Sequence, residues 1–367
     1  MKKILVALVF SCIFLLGAGM AWANEREPLT PELSMEQAVA MALRNSTKII
    51  SGQYSIDAAY EKRQMASRNL LGIEAYDALY GDNFALRYLA GLRQADIAWQ
   101  ATRKSLNLLQ DSITYATHQA YNKLLQEQAK LRQCNIDKKE AELQRTMMQA
   151  RYAVGVVAFL DLQRAETALV AAKGSVEDAQ KALDTAYLNF NYLLGLWPQD
   201  RPVLTETPAY EKLAVVDLNN YIERSLTDNP SIWQKEKSVD LARAAVDGYD
   251  PWNPGDSYLV RELDLDQALL AATDAKDEAR IALRTLYNSI RQIEEQYPTL
   301  EQSISLNTEN LRVTQLKYEV GMATRAEVVS AETALLKAEK NLLDLVCTHD
   351  LQKLAFTKPW AIGMASR

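Results

Sequence analysis

"RYAVGVVAFLDLQRAETAL" at Arg151–Leu169 and "KYEVGMATRAEVVSAETAL" at Lys317–Leu335 are one nineteen-residue sentence written twice, at an offset of 166. Tyr152 aligns with Tyr318, Val154 with Val320, Gly155 with Gly321 and Asp161 with Glu327, and "AETAL" recurs unchanged. In each copy helix-forming sequence runs up to the glycine and resumes a few residues later. A glycine there supplies the positive φ that ends a helix in a sharp reversal. Each copy therefore reads as the tip of an αα-hairpin, and two copies place two tips at the same end of the molecule. A fainter match links "SMEQAVAMALRNSTKI" at 34–49 with "DLNNYIERSLTDNPSI" at 217–232, an offset of 183. The chain reads as a tandem duplication of a helical unit.

Outward from the tips, the pattern stays helical. Prolines fall at 28 and 31 and then not before 198, a long absence of the residue that most strongly breaks helices. Ser34 with Gln37 opens a capping box, and a helix is expected from there to about Ser67. A break is expected around "LLGIEAYDALYGDN", then helix from about Phe84 to Tyr152, roughly 100 Å of it. Such a helix needs a partner along its length. Leu283, Leu286, Ile290, Ile293, Tyr297, Leu300, Ile304, Asn307 and Leu311 alternate spacings of three and four, the seam of coiled-coil packing. Leu106, Leu109, Ile113, Ala116 and Ala120 keep the same rhythm, and Pro298 is expected to kink its helix or open a hydrogen-bond gap. The fold class is all-α: two long antiparallel coiled-coil hairpins in tandem. The expected organisation is a signal peptide at 1–23, a first repeat at 24–197, a linker at 198–216, a second repeat at 217–358 and a tail at 359–367.

Lys2 and Lys3, an apolar run from Ile4 to Leu16 and "AWA" at 21–23 read as a cleavable export signal. The rival reading is an uncleaved anchor. Cys12 lies inside the signal and is not placed as a lipoprotein cysteine. Without Lys2 and Lys3, 39 of the 41 basic residues face 47 acidic ones. A net charge of −8 argues against a nucleic-acid partner, which needs a basic face.

Around the tips the chain resembles the TolC-like outer-membrane efflux family. The resemblance rests on "YAVGVVAFLD", on "YEVGMATRAE" with Glu for Asp, on the opening "LSMEQAVAMALRNS" and on the exit "YLNFNYLLGLWP". It implies a homotrimer whose protomers give helices to a periplasmic tunnel and four strands to a membrane β-barrel. It also implies partners, a periplasmic adaptor and an inner-membrane pump, in a cell-envelope location. The adaptor-facing tips would be Val154, Gly155 and Val156 with Val320, Gly321 and Met322. The gate would map to Tyr318, Glu327 and Asp161, and a further acid of that constriction falls at Ser330. Read without the family, the glycines are turn glycines, the valines staple their hairpins and Tyr318 and Glu327 are a solvated face.

The sequence departs from the family where the barrel should be. Two membrane strands with their turn need more than about 20 residues. Asn69–Asn83 offers 15, and Val246–Glu262, "VDGYDPWNPGDSYLVRE", carries two prolines and four acids. Tyr249, Trp252 and Tyr258 there read either as an interfacial aromatic patch or as turn packing. The leading function is thus a TolC-like duct passing exported solutes. The runner-up is a non-transporting coiled-coil scaffold or adaptor-binding protein of the same descent.

No enzyme is expected. His118 and His349 are far apart, without ligand spacing to cysteine or carboxylate, and no phosphate loop or nucleophile elbow occurs. No cofactor and no metal is expected. By helix rise, Cys134 and Cys347 fall at similar heights above their tips, roughly 32 and 39 Å. They are either a disulfide tying the two repeats or two free thiols.

Overall fold

A computed structural model of the protein describes residues 29–80, 84–249 and 257–362, without the side chains of 70–80 and 84–88. Helices α1 (Met35–Asn45) and α2 (Thr47–Tyr80) lead into α3 (Phe84–Ala153), and α4 (Phe159–Leu194) returns along it. The same order then recurs: α5 (Leu218–Asp228), α6 (Pro230–Asp247), α7 (Tyr258–Glu319) and α8 (Arg325–Thr357). The leader at 1–23 and Trp252 lie outside the described residues.

The faint repeat has a structural counterpart at each of its ends. Ser34 and Asp217, equivalent in that repeat, both cap a helix of 11 residues with side-chain oxygens. Ser46 and Asn229, equivalent in the same register, both end that helix in extended backbone, at φ −72°, ψ 113° and φ −70°, ψ 117°. The expected single helix from Ser34 to Ser67 is therefore two helices, broken at Ser46. The expected break at 69–83 is also misplaced, because α2 continues to Tyr80. Adding residues to an existing helix is easy, and the one glycine between 69 and Tyr80, Gly72, costs only about 1 kcal/mol relative to alanine.

Burial concentrates at mid-height, away from both ends of the long helices. Strands β1 (Glu32–Leu33) and β2 (Val203–Leu204) pair in parallel there, Glu32 opposite Val203 and Leu33 opposite Leu204. Beneath them Tyr121 and Phe190 meet edge to face with ring centres 6.1 Å apart, and the Tyr121 hydroxyl donates to Glu206 O at 3.0 Å. One apolar cluster joins Leu33, Ala42, Ile113, Leu124 and Leu194. A second joins Ile222, Leu226, Ile232, Leu283, Ile290 and Phe356. The last turn of the described residues, Pro359–Ala361, is fastened to α3: Asp111 accepts Trp360 Nε1 at 2.8 Å and pairs with Lys358.

The seam on α7 holds at every position named above. From Leu283 to Leu311 each of the nine residues is buried or half-buried. Pro298 does not stop the helix, which runs unbroken through it for 62 residues. A proline has no N–H, so the carbonyl of Glu294, four residues back, loses its helical partner. Leu283 and Ile290 are fully enclosed, whereas Val216 on the linker is fully exposed. Ile290→Ala should therefore cost about 2–5 kcal/mol in urea unfolding, and Val216→Ala less than about 0.5 kcal/mol. Equal costs at the two sites would contradict the placement of the seam.

Candidate functional site

The two glycine turns are closed by the same pair of hydrogen bonds. At the first, Gly155 has φ 74°; its N–H donates to Tyr152 O at 2.9 Å and the Val156 N–H donates to Arg151 O at 2.9 Å. At the second, Gly321 has φ 76°; its N–H donates to Tyr318 O at 3.0 Å and the Met322 N–H to Lys317 O at 2.7 Å. This is the paired closure of a helix by a left-handed residue. A Cβ at either glycine would meet nothing within 4 Å, so the constraint is conformational and the space around the turn is open. The flanking Val154, Val156, Val320 and Met322 are 74%, 71%, 69% and 78% exposed.

Asp161 and Glu327 occupy the third position of the returning helices α4 and α8. The Glu327 carboxylate accepts the Thr324 N–H at 2.6 Å and the Thr324 hydroxyl at 3.1 Å, and the Glu327 N–H returns a bond to that hydroxyl at 3.3 Å. Hydrogen bonds from the Thr324 N–H and then its hydroxyl hold the Glu327 carboxyl below its usual range. In the first tip Ala158 has no side-chain acceptor, so only half of the box forms, with the Ala158 N–H donating to Asp161 at 3.3 Å. Both acids thus begin their helices. Beside the second tip an open groove of about 390 Å³ is lined by Lys317, Met322, Glu327 and Ser330 among others. The first tip differs in its surroundings: Tyr152 packs on Phe159 with ring centres 5.9 Å apart, and Phe159 and Leu160 are exposed.

Sequence reading missed a polar cluster at mid-height. The histidines, which show no ligand spacing to cysteine or carboxylate along the chain, each meet a carboxylate through tertiary packing. His118 Nδ1 lies 3.3 Å from Asp350 Oδ2, which also accepts Asn122 Nδ2 at 2.9 Å. His349 Nε2 lies 3.4 Å from Glu294 Oε1, which accepts the Leu213 N–H at 2.6 Å, while Arg291 pairs with the other oxygen at 2.7 Å. Tyr210 stacks on Tyr297, centres 3.6 Å apart, with its ring 5.1 Å from that of His349. Burial alone would raise the Glu294 carboxyl; the bonds from Leu213, His349 and Arg291 outweigh it and hold the group low. The only advance signal was that each histidine sits in a helix with polar residues at mid-height.

Among the described residues no group of three or more His, Cys, Asp and Glu is placed to hold a metal ion. Cys134 and Cys347 are free thiols. Cys347 is buried, which pushes its thiol up to about 12, and α3 meets it through the Asn122 amide donating to its carbonyl at 3.3 Å.

No protein-family model and no curated protein matches the sequence. Solved structures do match. The outer-membrane channel OprN is 17% identical, covers 90% of this chain and 89% of its own, and superposes with a TM-score of 0.64. The MtrE outer-membrane channel of Neisseria gonorrhoeae is 16% identical over 89% of this chain and 88% of its own, TM-score 0.61. The CmeC channel of Campylobacter jejuni is 13% identical over 94% and 91%, TM-score 0.60. The chain has the TolC-like fold. These proteins are channels, not enzymes.

Within that TolC-like fold, the end opposite the tips is short. Only residues 81–83 separate α2 from α3, and residues 248–257 separate α6 from α7. Neither connection has room for two membrane-spanning strands. Among the described residues the only strands are the two-residue β1 and β2, so the helical part of the TolC-like fold stands here without a membrane barrel.

The capping geometry makes a prediction about pH. Glu327 has a lowered folded value, so its contribution is present above the ordinary carboxylate range and is lost as pH falls through the folded value. A carboxyl-carbon titration should place Glu327 below an exposed glutamate, and Thr324→Ala should remove only the smaller share of the difference that the hydroxyl contributes, because the backbone N–H bond persists. An unshifted midpoint in the wild-type protein would contradict the cap.

Proposed function

We propose that the chain is an export duct component with a TolC-like role: a homotrimer in the cell envelope whose helical tips dock a periplasmic adaptor. Solutes delivered by an inner-membrane pump pass through it. The observation that carries this reading is the pair of tips, two identical glycine turns that hold exposed apolar side chains at the end of a channel fold. In this reading Val154, Gly155, Val156, Val320, Gly321 and Met322 form the docking surface. Tyr318, Glu327 and Asp161 line the constriction, where Glu327 and Asp161 also cap their helices. Ser330 stands where another acid would be expected, so the passage is less acidic.

Self-assembly has physical support in the surface of α7. Leu263, Leu270, Ile281 and Leu306 are each more than half exposed. The spacings between them are each close to a whole number of turns of 3.6. Ile281 stands two residues, about 200°, from the buried Leu283, so this stripe faces away from the seam within the protomer.

Two measurements test the reading. Light scattering of the processed chain from Asn24, without detergent, should give the mass of three protomers, and Ile281→Glu with Leu306→Glu should return it to one. A monomeric wild-type protein would remove the duct and favour the scaffold reading. Gly155→Val with Gly321→Val should abolish capture of an adaptor while leaving the helical circular dichroism within a few per cent. Each substitution forces a β-branched residue to positive φ, a strain of about 1–3 kcal/mol. Adaptor capture that survives both would refute tip docking.

A further inference from the structure

The linker between the two halves lies along α7 in a fixed register. Tyr210 stacks on Tyr297 with ring centres 3.6 Å apart and planes within 3° of parallel. Leu213, three residues on, donates its N–H at 2.6 Å to the side chain of Glu294, three residues back. The linker therefore runs antiparallel to the helix, and residues three apart on a helix share a face, so one side of α7 takes both contacts. Glu294 and Tyr297 belong to the turn that Pro298 deprives of its backbone bond, because position 298 has no N–H for the Glu294 carbonyl to accept. The linker ties that same turn together through side chains. Arg291 pairs with the second Glu294 oxygen at 2.7 Å. His349 of α8 completes the group, with Nε2 3.4 Å from Glu294 and its ring 5.1 Å from that of Tyr210. Glu294 and His349 are both buried, so water competes little for these contacts.

Little else holds the linker down. Among the described residues, its backbone from 206 to 216 makes no hydrogen bond to other backbone groups. Glu206 meets the Tyr121 hydroxyl at one end, and Leu213 and Val215 rest on the second apolar cluster. Lys353 pairs with Glu211 at 3.3 Å on the surface, where such a pair contributes little. The Tyr210 hydroxyl is enclosed without a hydrogen-bond partner, which penalises the closed arrangement. A segment with few anchors, one of them penalised, opens locally before the helices do. We infer that residues 206–216 are a latch on the second hairpin. Closed, they splint α7 over the turn weakened by Pro298 and fix the second tip; released, they let the hairpin bend there. No proline occurs in α3, so the latch acts on one tip alone. The inference stands whether or not the tips dock an adaptor.

Amide hydrogen exchange of the processed chain from Asn24 tests it, under conditions where exchange follows the opening equilibrium. Tyr210→Phe keeps the stack and removes the enclosed hydroxyl, so exchange over 294–302 should slow at least about fivefold. Tyr210→Ala removes the stack and should speed exchange there at least about tenfold, with residues 117–125 of α3 unchanged. Pro298→Ala, added to Tyr210→Ala, restores the missing bond and should return exchange over 294–302 to within about twofold of wild type. Three results for Tyr210→Ala overturn the latch: no acceleration at 294–302, equal acceleration at 117–125, or acceleration that persists with Pro298→Ala. Unchanged or faster exchange in Tyr210→Phe does so as well, and that near-isosteric variant decides the matter even where the alanine variant misfolds. Adaptor capture enters none of these readings, so the latch and the docking surface fail separately.

Discussion

Helices as long as α3 and α7, at 70 and 62 residues, cannot be stable on their own merits, and the whole molecule answers that one demand. Propensity contributes little per residue, so most of the stabilisation must come from packing one stripe along the length. An antiparallel return is the shortest connection that supplies such a partner, and it requires the chain to reverse within a few residues. Gly155 and Gly321 make that reversal, closing α3 and α7 with the same two hydrogen bonds. Everything else about the tips follows. Apolar residues that would be buried anywhere else project from a turn with no room to bury them.

The two hairpins are joined where the chain is best packed. β1 and β2 bring the start of the first half against the linker that begins the second, and Tyr121 holds both to α3. On the other side of the belt Asp350 on α8 is held by His118 and Asn122 on α3, and Asp111 on α3 holds the residues after α8. Buried polar groups are costly unless paired, and here the partners come from different halves. The cluster therefore specifies how the halves are set against one another, a role that an apolar contact of equal area performs less selectively.

How legible this was depended on whether a feature is local. The tips were readable because a left-handed turn has a narrow residue requirement and was written twice, with Gly155 and Gly321 in the same frame. The α7 seam was readable because its period repeats over many turns. The course of α2 through residues 69–80 was not. That stretch is too short for a membrane hairpin and so suggests a break, whereas its leucines, alanines and glutamate simply continue a helix. The meeting of His118 with Asp350, from opposite halves of the chain, was invisible for a different reason: nothing in either helix encodes the azimuth at which it faces the other. The paired breaks at Ser46 and Asn229 lie between these cases, faint in letters and clear in backbone angles.

Pro298 gives the long second hairpin a mechanical character. It stands close to the firmly held belt, where Glu294 grips the linker. Between it and Gly321 lies a lever arm of about 35 Å. With one backbone hydrogen bond missing at its base, the lever is softest next to its fulcrum. A bend there of about 10° would sweep the second tip through roughly 6 Å by the same helix geometry, while the belt stays still. The first hairpin has no proline between the belt and Gly155 and lacks that compliance. Of two tips closed by the same two backbone bonds, one is mounted on a stiff rod and the other on a sprung one.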